Sequence, residues 1–378
     1  MLDLLRDRDA ANADTLGEVL ARRGISRRAF LKYASSVAAS MALSPAMAQT
    51  MAKNLEKARR QSVIWLSFQE CTGCTESITR SFSPTLEDLI FDFISLDYSE
   101  TLMAVSGFAA EEARKAAMEE NKGKYIVVCE GSVPLKDGGI YSASAGEAHL
   151  DVLRDTAKDA FAIIAVGSCA TFGGIPAALP NPTGAVGVDQ IITDKPVINV
   201  PGCPPIPEVM TGLVSYLLSL GTLPELDHLK RPVAFFGETI HDRCYRRPFY
   251  EQGKFAASFD DEGARKGYCL FEVGCKGPIT YNSCATLKWN GGVSFPIQSG
   301  HGCLGCSEPG FWDKGGFYNP LSTHKGSMGT YAAAAAGVGI AGGLATGAVM
   351  RSRRKQSIER AKTASQQKAA TQGTDTNG

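Results

Sequence analysis

Ala162-Ile163-Ile164-Ala165-Val166-Gly167-Ser168-Cys169 is the stretch that decides the fold. Five apolar residues run without interruption into a small-residue turn and then a cysteine. Such a run is short enough for a strand buried on both faces. Val197-Ile198-Asn199-Val200 repeats the pattern and ends in Pro201-Gly202-Cys203-Pro204-Pro205. A third run, 63–67, leads to Glu70-Cys71-Thr72-Gly73-Cys74. Further apolar, β-branched runs lie at 89–96 and 125–129, and helical patterns at 109–120 and 150–160. Continuous apolar strands alternating with helices predict an α/β domain with a doubly wound parallel sheet. Open sheets of this kind bind ligands outside the carboxyl ends of their strands. Cys71, Cys74, Cys169 and Cys203 are therefore expected to converge there. Four thiolates suit an iron–sulfur cubane or a structural zinc. Cys129 also ends a strand but joins no group of four, and it reads as a small buried hydrophobe.

The 378 residues, 44% of them hydrophobic, suffice for one or two cores. Charge is balanced at 39 basic and 39 acidic residues, so no overall field points to nucleic acid. All eleven cysteines lie between the two terminal segments, and an odd count argues against a pure disulfide framework. From about 243 to 324 the periodic patterns fade, and Gly, Pro, Asn and Cys become frequent. Inorganic cofactors can organise a segment this poor in regular structure. It carries His241 and Cys244 as a His-x-x-Cys pair, then Cys269, Cys275, Cys284, Cys303 and Cys306. These seven candidate ligands divide naturally as four plus three. Zinc on His241, Cys244, Cys269 and Cys275 would explain one group but not a further group of three thiolates.

The two ends read differently. Ser26-Arg27-Arg28-Ala29-Phe30-Leu31-Lys32, a weakly apolar run at 33–43 and Ala46-Met47-Ala48 have the order of a signal peptide over 1–48. The Arg27-Arg28 pair marks the twin-arginine class, whose translocon carries folded proteins. Near the other end, residues 331–350 carry no charge. As a helix they would span about 30 Å, the thickness of a bilayer core. Gly339, Gly343 and Gly347 share one face of that helix, which suits close approach by another membrane helix. Arg351, Arg353, Arg354 and Lys355 follow. The positive-inside rule then puts 351–378 in the cytoplasm, as a basic, disordered tail, and the body on the periplasmic side of the inner membrane.

Together these motifs closely resemble the small subunit of membrane-bound nickel–iron hydrogenases. The resemblance is carried by Glu-Cys-Thr-Gly-Cys-Thr-Glu-Ser at 70–77, Gly-Ser-Cys-Ala at 167–170 and Pro-Gly-Cys-Pro-Pro at 201–205. It continues in His-x-x-Cys at 241–244, Gly-Cys-Lys-Gly-Pro at 274–278 and Gly-His-Gly-Cys-Leu-Gly-Cys-Ser-Glu-Pro at 300–309. It implies a flavodoxin-like domain at 60–240 and an irregular cluster-binding domain at 241–325. It implies a proximal 4Fe–4S cluster on Cys71, Cys74, Cys169 and Cys203. A medial 3Fe–4S cluster would sit on Cys284, Cys303 and Cys306, with Pro296 where a fourth ligand would stand. A distal 4Fe–4S cluster would sit on His241, Cys244, Cys269 and Cys275. The chain would relay electrons from H2 oxidation at a separate nickel–iron large subunit to a membrane cytochrome b or other quinone-linked subunit. Oxygen-tolerant relatives carry two extra proximal cysteines at positions matching Gly73 and Gly174, so a conventional, oxygen-sensitive type is implied. Two rival readings are a stand-alone ferredoxin-like carrier and a disulfide- or zinc-stabilised periplasmic binding protein.

Overall fold

The structure, a computed structural model, describes residues 15–22, 27–82, 84–313 and 317–321. By its internal contacts the chain divides into Met1–Leu321 and Ser322–Gly378, and the second part lies outside the described residues. The anchor expected at 331–350 and the basic tail at 351–378 fall there. Among the described residues no helix is long and apolar enough to cross a membrane.

Five strands build the sheet: β1 (Gln61–Ser67), β2 (Ile94–Ser99), β3 (Ile126–Glu130), β4 (Ala162–Val166) and β5 (Val197–Val200). Their order is β2-β1-β3-β4-β5, and every adjacent pair is parallel. That is the doubly wound order of flavodoxin-like sheets. Successive side chains of a strand point to opposite faces, and two cores result. Val63, Trp65, Ile126, Val128, Ile164 and Ile198 face one core. Ile64, Leu66, Val127, Cys129, Ile163 and Ala165 face the other. Cys129 is fully buried among them, as its place in the apolar run suggested.

The first core is covered by α8 (Pro207–Leu220), which starts with proline in its first turn and stops at Gly221 in the left-handed conformation (φ 63°). The chain order of the helices preceding it is α1 (Leu16–Arg22), α2 (Arg27–Ser40), α3 (Pro45–Lys57), α4 (Gly73–Thr79), α5 (Phe108–Glu120), α6 (His149–Ala157) and α7 (Gly167–Phe172). α5 and α6 supply the second core, where Ala110, Ala117, Leu150, Val152 and Leu153 are buried.

One expected strand is corrected. The run at 89–96 is not extended throughout. Thr85 Oγ1 accepts the Asp88 N–H at 3.2 Å, and the Asp88 carboxylate accepts the Thr85 N–H at 3.3 Å. This capping box starts a helical turn, which continues as the π-helical Leu89–Phe93 before β2 begins at Ile94. Beyond Phe236 the regular pattern stops. Among the described residues after it, the longest helix is Arg247–Glu251 and β-structure is limited to isolated bridges. A small third core gathers Ile240, Ala256, Leu270, Val273, Phe295 and Ile297.

Candidate iron–sulfur sites

Parallel pairing puts the carboxyl ends of β1, β3, β4 and β5 on one edge, and four cysteines arrive there. Cys71 and Cys74 follow β1 at the start of α4, Cys169 lies in α7 directly after β4, and Cys203 follows β5. Cys71 and Cys203 are exposed and the other two half-buried. The Cys74 thiol is held well above the usual thiol range by burial first, then by the Glu130 carboxylate and the Cys169, Cys203 and Cys71 sulfurs. Burial likewise pushes Cys169 up to about 11. The four sulfurs thus act on one another across a common space.

That space is kept open by backbone without side chains. A Cβ on Gly167 would overlap the Cys74 sulfur, and one on Gly174 would overlap the Cys169 sulfur. Both glycines have positive φ, 83° and 55°, which other residues adopt at a cost. Glu130, at the end of β3, fixes the Cys74 loop from below. Its buried carboxylate accepts the N–H of Cys74 at 2.8 Å, that of Thr75 at 3.1 Å and the Trp65 indole N–H at 3.2 Å. Sequence reasoning missed Glu130. Its signal was a charged residue closing an otherwise apolar strand at the ligand-binding edge.

A second group forms in the irregular part. His241, Cys244, Cys269 and Cys275 line one small cavity, closed by Leu270, Pro278 and Ile297. The Cys244 sulfur accepts the Arg246 N–H at 3.4 Å, and Cys275 accepts the Gly277 N–H at 3.4 Å. Burial, followed by the Arg247 charge, lowers the His241 pKa, which keeps the imidazole neutral and able to ligate. Burial pushes Cys269 up to about 12.

Cys284, Cys303 and Cys306 form the third group. Burial pushes Cys284 up to about 12, with Cys306 the next cause. Burial also holds Cys303 well above its usual range, followed by Cys275 and then Cys306. Pro296 sits between the buried Phe295 and Ile297.

The groups touch end to end. Ser168 Oγ accepts the Gly202 N–H at 3.1 Å and donates to the Cys306 carbonyl. The Cys303 N–H donates to the Cys275 sulfur at 3.3 Å, and the Lys276 N–H donates to the Cys303 carbonyl at 2.7 Å. All eleven candidate ligands thus fall into a chain of three groups. Among the described residues no three His, Cys, Asp or Glu side chains are gathered tightly enough to hold a single metal ion. The donor set and its spacing fit polynuclear iron–sulfur clusters better than mononuclear zinc, whose four ligands each stand about 2.0–2.3 Å from one ion.

Two family models match the chain. Residues 71–217 match "NADH ubiquinone oxidoreductase, 20 Kd subunit", and residues 236–319 match the C-terminal model of the "NiFe/NiFeSe hydrogenase small subunit". The uptake hydrogenase small subunit of Azotobacter vinelandii is 51% identical over 334 residues, 87% of this chain and 93% of that protein. The matching protein of Rhizobium leguminosarum bv. viciae, also an uptake hydrogenase small subunit, is 49% identical, covering 90% of this chain and 97% of the relative. Among solved structures, the Ni-Fe-Se hydrogenase of Desulfomicrobium baculatum superposes with a TM-score of 0.65 at 36% identity, over 69% of this chain and all of that one. The [NiFeSe] hydrogenase of Desulfovibrio vulgaris Hildenborough gives 0.64 at 38% identity, over 69% and 98%.

Substituting Gly167→Ala should push a methyl group into the Cys74 sulfur. The expected result is loss of one cluster, about four irons per chain, with the rest retained. Iron and labile-sulfide assay of the purified variant checks this, and unchanged iron would show that the glycine is not needed for the site.

Proposed function

We propose a function from one premise: the chain belongs to the small-subunit family of nickel–iron hydrogenases. It is the electron-transfer subunit of a hydrogenase, it works with a nickel–iron large subunit, and its cysteines serve iron–sulfur clusters. The nickel–iron centre belongs to that partner.

The finer reading is three clusters. Cys71, Cys74, Cys169 and Cys203 would hold a 4Fe–4S cluster, Cys284, Cys303 and Cys306 a 3Fe–4S cluster, and His241, Cys244, Cys269 and Cys275 a second 4Fe–4S cluster. Bound clusters supply one-electron redox chemistry, with potentials tuned by their ligands, burial and hydrogen bonds to sulfur. The observation that carries the reading is the end-to-end tie of the three groups, through Ser168, which joins Gly202 to the Cys306 carbonyl, and through Cys303 with the Cys275 sulfur. The first group also opens on a face suited to the large subunit. Cys71 and Cys203 are exposed there, and the loops leaving β3 and β4 bare Leu135, Ile175 and Leu179. Exposed apolar residues around an exposed ligand favour a covered interface over solvent. A stand-alone ferredoxin-like carrier would have no use for it. His241 contributes a neutral imidazole in place of a thiolate, which makes its ligand shell less negative than the four thiolates of the first group and favours electron arrival there.

EPR on the anaerobically purified complex, oxidised and then reduced, tests this with iron, sulfide and nickel assayed on the same sample. A near-isotropic 3Fe–4S signal on oxidation and about eleven irons per chain are expected, with nickel in a co-purifying large subunit. Iron without a nickel-bearing partner would favour the lone carrier. No iron at all would favour the binding protein.

Residues 1–48 serve, in this reading, as the twin-arginine leader, and 331–350 anchor the body to the periplasmic side of the inner membrane. The glycine face of the anchor would meet a membrane cytochrome b or another quinone-reducing subunit. Truncation after His324 should release a soluble complex that still reduces artificial dyes; a truncated complex that stays in the membrane would sink the anchor. Gly73 and Gly174, in place of extra cysteines, support the conventional oxygen-sensitive type. Hydrogen oxidation should therefore fall away during exposure to air, and full activity under oxygen would contradict the assignment.

A further inference from the structure

We propose that the leader is an intramolecular ligand of its own folded domain, seated on α8, and that it must leave this seat before it can be cut. The proposal rests on reading 1–48 as a leader and goes beyond it. In α2, Ala34, Val37 and Ala38 are buried, and Met41 continues the same spacing one turn on. Positions three, four and seven apart share one helix face. Ser35, Ser36 and Ala39 lie on the exposed side. A segment that is apolar all round would leave half its surface bare against a protein, whereas this one has a face to bury and a face for water.

The seat is specific. Tyr33 packs edge-on against Phe93, with ring centroids 5.1 Å apart, and its hydroxyl hydrogen-bonds Ser215 Oγ on α8 at 2.5 Å. All four buried side chains join the core that holds β1, β3, β4 and α8. That core face exists only once α8 has packed on the sheet, so a docked leader is a property of the folded precursor. Arg28 stays exposed while the leader is docked, within reach of an export receptor.

Docking also holds the cleavage site in a helix, although its side chains stay largely exposed. Residues 46–48 form the first turn of α3. Ser44 caps it by accepting the Met47 N–H at 3.3 Å, and the Ala48 N–H donates to the Ser44 carbonyl at 3.0 Å. Met51, Ala52 and Leu55 pin the rest of α3, and Asn54 donates to the Ser219 carbonyl of α8 at 2.9 Å. Proteases take backbone in an extended conformation, so a capped helical turn resists them even where its side chains are exposed. A leader peptidase would add water across the Ala48–Gln49 peptide bond only after α2 lifts off and this turn unwinds.

The test uses full-length precursor in complex with its large subunit, held in the cytoplasm of translocon-deficient cells. In hydrogen–deuterium exchange, 27–40 should be protected together with α8. Val37→Asp should abolish the protection of 27–40 while dye-reducing activity persists, and Ser36→Asp on the exposed side should change neither. With purified leader peptidase in detergent, the Val37→Asp precursor should be cut about tenfold or more faster than wild type, as local opening no longer limits it. Exchange of 27–40 at the rate of a free peptide, or identical behaviour of the two variants, overturns docking. N-terminal sequencing of the membrane-extracted wild type separates the two ideas. A chain starting at Gln49 with an unprotected precursor defeats docking alone, and a chain retaining residues before Gln49 defeats the leader reading and the proposed cleavage step together.

Discussion

Every adjacent strand pair in this sheet is parallel, and the candidate site depends on that. Parallel strands all point their carboxyl ends at one edge, so loops far apart in sequence must meet there. Cys71, Cys169 and Cys203 are separated by long stretches of chain, yet each follows a strand whose neighbours are fixed by register: Ile64 against Val127, Val127 against Ile163, Ile164 against Ile198. A one-residue slip in any pairing would turn a core face outward. Burial of both faces therefore fixes the register, and the register fixes where the sulfurs arrive.

The part after Phe236 has no comparable scaffold. Its core is small, and its loops are held by buried polar ties instead. Arg231 is almost fully buried and joins Asp227 at 2.8 Å to Glu308 at 3.0 Å, while Glu308 also accepts the Tyr281 N–H at 2.7 Å. Removing one partner of such a buried set leaves an uncompensated charge, typically about 3–5 kcal/mol. Ser168 does the same neutrally, tying the loops of Cys169 and Cys203 to Cys306. Burial raises the thiols of Cys74, Cys275 and Cys303, so as thiolates they are costly until a cation joins them. Metal binding then becomes part of the folding free energy.

The sequence was most legible where burial is two-sided. The strands at 162–166 and 197–200 emerge with the bounds the apolar runs suggested, because nothing polar interrupts them. The run at 89–96 misled because hydrophobicity alone does not separate a strand from a buried helical turn; the deciding residues, Thr85 and Asp88, lie before it. Convergence of four cysteines was readable from strand ends. The ties through Ser168 and Arg231 were not, since they join loops whose paths depend on tertiary packing. Docking of α2 was likewise hidden, because a weakly apolar leader and an amphipathic helix share a pattern.

The link between the last two groups has a direction. Cys303 donates its main-chain N–H to the sulfur of Cys275. The receiving sulfur belongs to the group farthest along the chain of three from the exposed Cys71. A donor aimed at a sulfur stabilises its more negative state, so with clusters bound this link would favour the farther group as electron acceptor. The last group gains most: Cys244 and Cys275 together accept from Arg246, Gly277 and Cys303, and His241 brings no negative charge. Main-chain donors also persist through every side-chain substitution except proline. The gradient is therefore built into the path of the backbone, which the sheet edge and the buried ties hold in place.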